Sequence, residues 1–115
     1  MMTKLLSICG LALCLALTQA QAGEKLIIEG STTVLPIAQR AAEVYMNNNP
    51  TVNITVRGGG SGVGLTSLID GTTDIANSSR TIKTTEIQKA LKKGIDPKGT
   101  VVALDGIAVI VHPSN

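Results

Sequence analysis

Residues 51–70 read TVNITVRGGGSGVGLTSLID. From Thr51 to Arg57 polar and apolar residues alternate, with Val52, Ile54 and Val56 on one face, which predicts a strand. Leu65 to Asp70 reads as a short helix that Gly71 can terminate. Between them lies the glycine run Gly58 to Gly64. Glycine admits positive φ and lets backbone N–H groups approach a bound group without interference from Cβ. A helix that follows such a turn adds unpaired N–H donors and a partial positive charge. Strand, glycine turn and helix together predict a seat for an anion, with the Ser61 hydroxyl and Gly62 at its edge.

Working outward, Lys25 to Ile28 predicts a short strand, followed by the polar turn Glu29-Gly30-Ser31-Thr32-Thr33. Val34, Ile37, Ala38, Ala41, Val44 and Tyr45 recur with helical spacing, which predicts a helix from Val34 to Met46. Thr32 or Thr33 is its expected N-cap, and Pro36 fits the first turn because its missing N–H has no helical partner there. Asn47-Asn48-Asn49-Pro50 is expected to end it with a residue that tolerates left-handed backbone and a breaker. Thr73 to Ala76 predicts a strand leading into Asn77-Ser78-Ser79-Arg80. A third helix is expected from about Thr85, where Thr85-x-x-Gln88 fits a capping box, to Gly94. Thr100 to Leu104 and Ile107 to Val111, separated by Asp105-Gly106, read as strands buried on both faces. Strands alternating with helices give an α/β fold with a mainly parallel sheet flanked by helices.

The amino terminus has a separate character. Lys4, the apolar run Leu5 to Leu17 and Ala20-Gln21-Ala22 match a signal peptide cleaved after Ala22. The run is too short for a membrane-spanning helix, so an exported, periplasmic chain that does not span the membrane is expected. The expected organisation is a cleaved segment, 1–22, and one lobe, 23–115. Both cysteines, Cys9 and Cys14, fall in the cleaved part, which leaves no thiol or disulfide. Leu13 occupies the place where a lipoprotein signal at Cys14 carries a small residue. With His112 as the sole imidazole, neither a transition-metal site nor a cofactor is expected. Ten basic and eight acidic residues give a formal charge of +2 with no basic block, and Tyr45 is the single aromatic. Nucleic acid is therefore not an expected partner.

Three polar clusters share one context, the passage from a strand end into a helix: Ser31-Thr32-Thr33, Gly60-Ser61-Gly62 and Ser78-Ser79-Arg80. Ligands of open α/β sheets sit outside the carboxyl ends of the strands. Hydroxyls, backbone N–H groups and one guanidinium converging there are donors, which suits an oxyanion such as phosphate. Plainer roles stand beside this one: helix caps for Thr32 and Thr33, a turn former for Ser79, a solvated charge for Arg80. Enzyme templates fail. Gly59 to Gly64 has nucleotide-loop spacing, but Leu65 stands where the phosphate-binding lysine is required. A nucleophile elbow on Ser61 needs glycine at position 63, which is valine. Asp70 and Asp74 lack an acid–base partner and are expected to cap or solvate the turn around Gly71. No catalytic residue is expected.

Taken in order, Leu26 to Pro36, Gly58 to Gly64, Asp74 to Arg80 and Asp105 to Val111 resemble the periplasmic phosphate-binding proteins of phosphate-specific ABC transporters, the PstS family. The resemblance covers Lys25 to Asn115. It implies part of the first lobe of a type II periplasmic-binding-protein fold, inorganic phosphate or a similar oxyanion as ligand, and a membrane permease as partner. By position it implies hydroxyl donors at Thr32 and Ser61, the backbone N–H of Thr33, and a place in the site for Gly62. Ser79 stands where better-known members carry an aspartate that accepts the ligand's proton, so discrimination against sulfate is expected to weaken, with Arg80 supplying charge. Members of that family are more than twice as long, so the lobe is expected to be incomplete. Losing the opposing lobe's charge-assisted hydrogen bonds, ~1.5–3 kcal/mol each, predicts weak phosphate binding or none by this chain alone. The alternative expectation is a single-lobe protein-interaction module that keeps the scaffold without ligand capture.

Overall fold

The computed structural model describes residues 23–114. The signal-peptide expectation at 1–22 lies outside the described residues. Three strands and three helices alternate: β1 (Glu24–Gly30), α1 (Leu35–Asn48), β2 (Val52–Gly58), α2 (Ser61–Ile69), β3 (Ile75–Asn77) and α3 (Thr84–Lys92). The sheet order is β2-β1-β3 and every pairing is parallel. All seven residues of β1 pair with β2, Glu24 opposite Val52 through Gly30 opposite Gly58. β3 joins only at the far end, Ile28 opposite Ile75 through Gly30 opposite Asn77. The expected α/β architecture is therefore the observed one.

The chain moves from β1 to β2 on one side and then back across β1 to β3. Right-handed crossovers in these opposite senses put α1 and α2 on opposite faces of the sheet. α1 packs on β2, α2 on β1 and β3, and α3 on α2. The core is small and aliphatic: Leu65 and Ile69 of α2, Ala42 of α1 and Ala90 of α3 are buried.

Local chemistry moves several expected boundaries. α2 begins at Ser61, not Leu65, so half of the glycine run is helix rather than loop. The reason is close approach: a Cβ on Gly64 would stand 2.5 Å from the Gly30 Cα, so α2 seats directly on the end of β1. Helix α1 starts at Leu35, and neither Thr32 nor Thr33 caps it. Its cap position is Val34, already helical at φ −84° and ψ −18°, with no side-chain bond. The Ser31 carbonyl instead accepts from Leu35 N at 3.0 Å, because the strand runs straight into a tight turn. The end of α1 is not left-handed either, since Asn49 has φ −135°. The Asn48 and Asn49 side-chain amides donate to the Val44 and Tyr45 carbonyls (3.1 and 2.9 Å) of the last turn.

α2 and α3 end alike. Thr72 N donates to Ser67 O and Gly71 N to Leu68 O; Ile95 N donates to Ala90 O and Gly94 N to Leu91 O. Each pair is a Schellman motif with glycine at the left-handed position. The start of α3 is capped two residues earlier than expected: Lys83 N donates to the Glu86 carboxylate at 2.8 Å, and Thr85-x-x-Gln88 is not the box.

Thr100 to Leu104 and Ile107 to Val111 are not buried strands. Both carry no regular secondary structure, and Ile107 is 97% exposed and Leu104 94%. A strand buried on both faces requires a neighbour along its length. β3, one of the two outer strands of the sheet, is three residues long and offers few ladder groups.

Candidate functional site

Parallel pairing brings the ends of β1, β2 and β3 to one edge of the sheet, at residues 30, 58 and 77. The crossovers diverge between β1 and β3, so this edge is the switch point where open α/β sheets leave a crevice. The three sequence clusters meet there.

Backbone bonds lock the loops together. Ser31 N donates to Asn77 O at 2.9 Å, joining the first loop to the third, and Gly60 N donates to Gly30 O at 2.8 Å, joining the second to the first. Ser31 is buried. Thr32 and Thr33 are exposed, and no hydrogen bond among the described residues claims their hydroxyls. Their capping role is removed, which leaves them available at the rim. Thr32 lies over the second loop, its Cγ2 3.4 Å from where a Cβ on Gly58 would be.

Gly60 has φ 92° and ψ 156°, a conformation accessible in practice only to glycine. It turns the chain so that Ser61 and Gly62 form the first residues of α2, whose first N–H groups have no helical partner. The Ser61 hydroxyl lies 3.2 Å from the Ser79 hydroxyl and accepts from Ser79 N at 3.1 Å. Nothing stands within 4 Å of a Cβ placed on Gly62, so this side of the helix start is open. Ser61, Gly62 and Ser79 therefore share one rim, with Thr32 near the end of β2.

Arg80 is differently disposed from its sequence expectation. Its guanidinium makes a two-pronged bridge to Glu86, Nη1 to Oε2 at 2.9 Å and Nη2 to Oε1 at 2.8 Å. Nη1 also donates to Thr81 O at 3.1 Å. The Arg80 hydrogen bond, followed by the Lys83 N–H, holds the Glu86 carboxyl down to about 2. The Arg80 guanidinium is pushed up, chiefly by the same hydrogen bond. The only cation of the three clusters is thus paired.

The aspartates have structural partners. Asp74 accepts from Ile27 N at 2.7 Å while its own N–H donates to Ile27 O, so it prolongs the β1–β3 pairing beyond β3. Thr73 Oγ1 adds a bond to Ile27 O at 2.8 Å. Asp70 caps the end of α2 and pairs with Lys93 at 2.6 Å. Among the described residues no cluster of His, Cys, Asp and Glu could hold a metal ion, and no helix is long and apolar enough to cross a membrane.

Sequence reading passed over two residues at this edge. Glu86 is a glutamate in the first turn of a helix, a position that itself signals capping. Asn77 ends β3 with its Nδ2 buried and unpartnered, a feature no sequence pattern announces.

Residues 16–115 match a family described as a PBP superfamily domain. The chain belongs to that family. It is 41% identical over 87 residues to protein SphX of Synechococcus elongatus, covering 76% of this chain and 26% of that protein. Phosphate-binding protein PstS 2 of Streptococcus agalactiae is 38% identical over 91 residues, covering 79% and 29%. A solved structure, a phosphate ABC transporter, phosphate-binding protein from Streptococcus pneumoniae, superposes with a TM-score of 0.55 at 34% identity, covering 58% of this chain and 26% of that one. The PBP-superfamily chain thus spans between a quarter and three tenths of these proteins' lengths. Its parallel sheet flanked by helices is part of the type II periplasmic-binding-protein architecture.

Proposed function

We propose that this chain is an exported substrate-binding component that captures inorganic phosphate for an ABC transporter, and that it performs no catalysis. One observation carries the reading: Ser61 Oγ, at the start of α2, meets the backbone N–H of Ser79 at 3.1 Å across the switch point of the sheet. That contact joins two strand-to-helix loops into one wall, and on this reading the Ser61 hydroxyl, Thr32, the Thr33 N–H and Gly62 turn donors to the anion. A tetrahedral oxyanion requires such an array, several N–H and O–H donors converging from one side. Names of relatives supply the ligand class: PstS 2 is a phosphate-binding protein.

On this reading residues 1–22 are a signal peptide removed after Ala22, the chain acts in the periplasm, and a membrane permease receives the ligand. The wall described here is open on its far side. Phosphate held by this chain alone remains partly hydrated, and its affinity is weak. Calorimetric titration of the folded chain with phosphate and with sulfate tests the proposal. Heat on phosphate addition that Ser61→Ala diminishes supports it. No heat and no amide shift at high millimolar phosphate would remove the ligand claim.

A second reading, a protein-interaction module, is favoured by one feature: Val101, Val102, Leu104, Ile107, Val109, Ile110 and Val111 are all largely exposed. Exposed apolar runs of this size ordinarily meet a partner surface. A strictly monomeric mass in size-exclusion light scattering at all concentrations would count against it.

A further inference from the structure

We infer that Arg80 and Glu86 act together as a positioning strut that holds the Ser79 donor against Ser61, and that Arg80 does not serve as the anion's own cation. The inference rests on the phosphate-site reading and assigns a role to Glu86, which lies outside the donor wall.

The segment between β3 and α3 has no helix or strand of its own, so side chains must set its path. Ser78 Oγ donates to Arg80 O at 2.6 Å and accepts from Arg80 N at 3.2 Å, closing a tight turn around Ser79. The Arg80 side chain then reaches forward. Its Nη1 spends both hydrogens, one on Thr81 O and one on Glu86, and Nη2 donates to the second Glu86 oxygen. Glu86 is itself anchored at the start of α3, where it accepts from Lys83 N. One carboxylate thus ties the loop to the helix that follows it. The side chains are 33% and 20% exposed, sheltered enough for the planar fork to stay in one geometry. A planar guanidinium meeting a carboxylate along two parallel bonds fixes direction as well as distance. The turn so fixed presents the Ser79 N–H to Ser61 Oγ.

The Nε–H and the second Nη2–H are the donors the fork leaves to Arg80, and a guanidinium whose charge is matched by the Glu86 carboxylate adds little net attraction for an anion. The two roles predict opposite signs for one substitution. Glu86→Gln removes a carboxylate and frees a guanidinium, so on the direct-contact role phosphate binds more tightly. On the strut role the Ser79 turn loosens and phosphate binds more weakly.

Two measurements on the full chain decide it. Amide hydrogen exchange in the ligand-free protein should show Ser79 losing most of its protection in Glu86→Gln and in Arg80→Lys, while the Ala90 amide within α3 keeps its own. Phosphate titration should show about tenfold weakening in both variants. Tighter phosphate binding in Glu86→Gln, wild-type affinity in Arg80→Lys, or unchanged Ser79 protection would each overturn the strut. If Glu86→Gln unfolds, Arg80→Lys still decides, because it keeps the positive charge an anion would meet and loses only the two-pronged geometry. A wild-type chain that binds no phosphate defeats the site reading, whereas Ser79 exchange continues to test the strut without any ligand.

Discussion

At the scale of single residues, the glycine run divides into positions with unlike duties. Gly64 carries the contact between α2 and β1, so Gly64→Ala forces a Cβ against the Gly30 Cα and the strand must shift. Overpacking of this kind costs ~1–3 kcal/mol, and we expect thermal denaturation to show it as a clear fall in Tm. Gly62→Ala meets open space, so Tm should stay unchanged or rise slightly as the helix start stiffens. Ser61→Ala removes the acceptor of Ser79 N; the fold should persist while the Ser79 amide gains exchange and phosphate affinity falls. The period-two pattern of Thr51 to Arg57 and the glycine run itself made β2 and the turn legible in sequence. The division of labour within the run was not, because it depends on how near Gly30 lies, 34 positions away in the chain. The threonines show the reverse. Sequence pattern alone favoured caps at Thr32 and Thr33, and only the turn geometry after β1 leaves their hydroxyls at the rim.

At the scale of elements, α3 and the β1–β3 pair each depend on one carboxylate. The Glu86 carboxyl titrates lower in the folded chain, at about 2, than its ordinary 4.5. A depressed carboxylate stabilises the fold fully above its ordinary value, and that contribution disappears as pH falls through the folded value. We therefore expect the helix signal of α3 to weaken between about pH 4.5 and 2, and Glu86→Gln to remove this portion of the acid dependence when both proteins are followed by circular dichroism. Asp74→Ala leaves the Ile27 N–H without its acceptor, costing ~1 kcal/mol at this partly wet edge, and should loosen β3 first. Hydrogen exchange at the Ile27 and Asp74 amides reads this directly. Helix periodicity and glycine stops placed the three helices to within a few residues. The box at Thr85 misled because two registers two residues apart both offered plausible side chains. Arg80 decides between them by taking hold of Glu86.

For the whole molecule, alternation of strand and helix was sufficient to predict a parallel α/β sheet, and the three loop clusters singled out in the sequence lie together at one edge of it. The apolar runs beyond Gly99 were legible as apolar and not as exposed, because composition says nothing about whether a neighbour is present. On the proposed function, protein recovered from the periplasm should begin at Gly23, which intact mass spectrometry checks. Retention of residues 1–22 would remove the export claim.

The seating of α2 on β1 has a consequence for how this segment tolerates change over generations. Gly60 and Gly64 are pinned by backbone conformation and by close approach, while Gly62 between them borders empty space. In a saturation library across 58–64, survivors should therefore form a comb: barren at 60 and 64, permissive at 62, with 61 free to vary for folding and filtered only by ligand selection. On the proposed function, the scaffold is thus guarded by residues interleaved with those that would meet the ligand, so ligand preference can drift through positions 61 and 62 while the architecture is inherited intact.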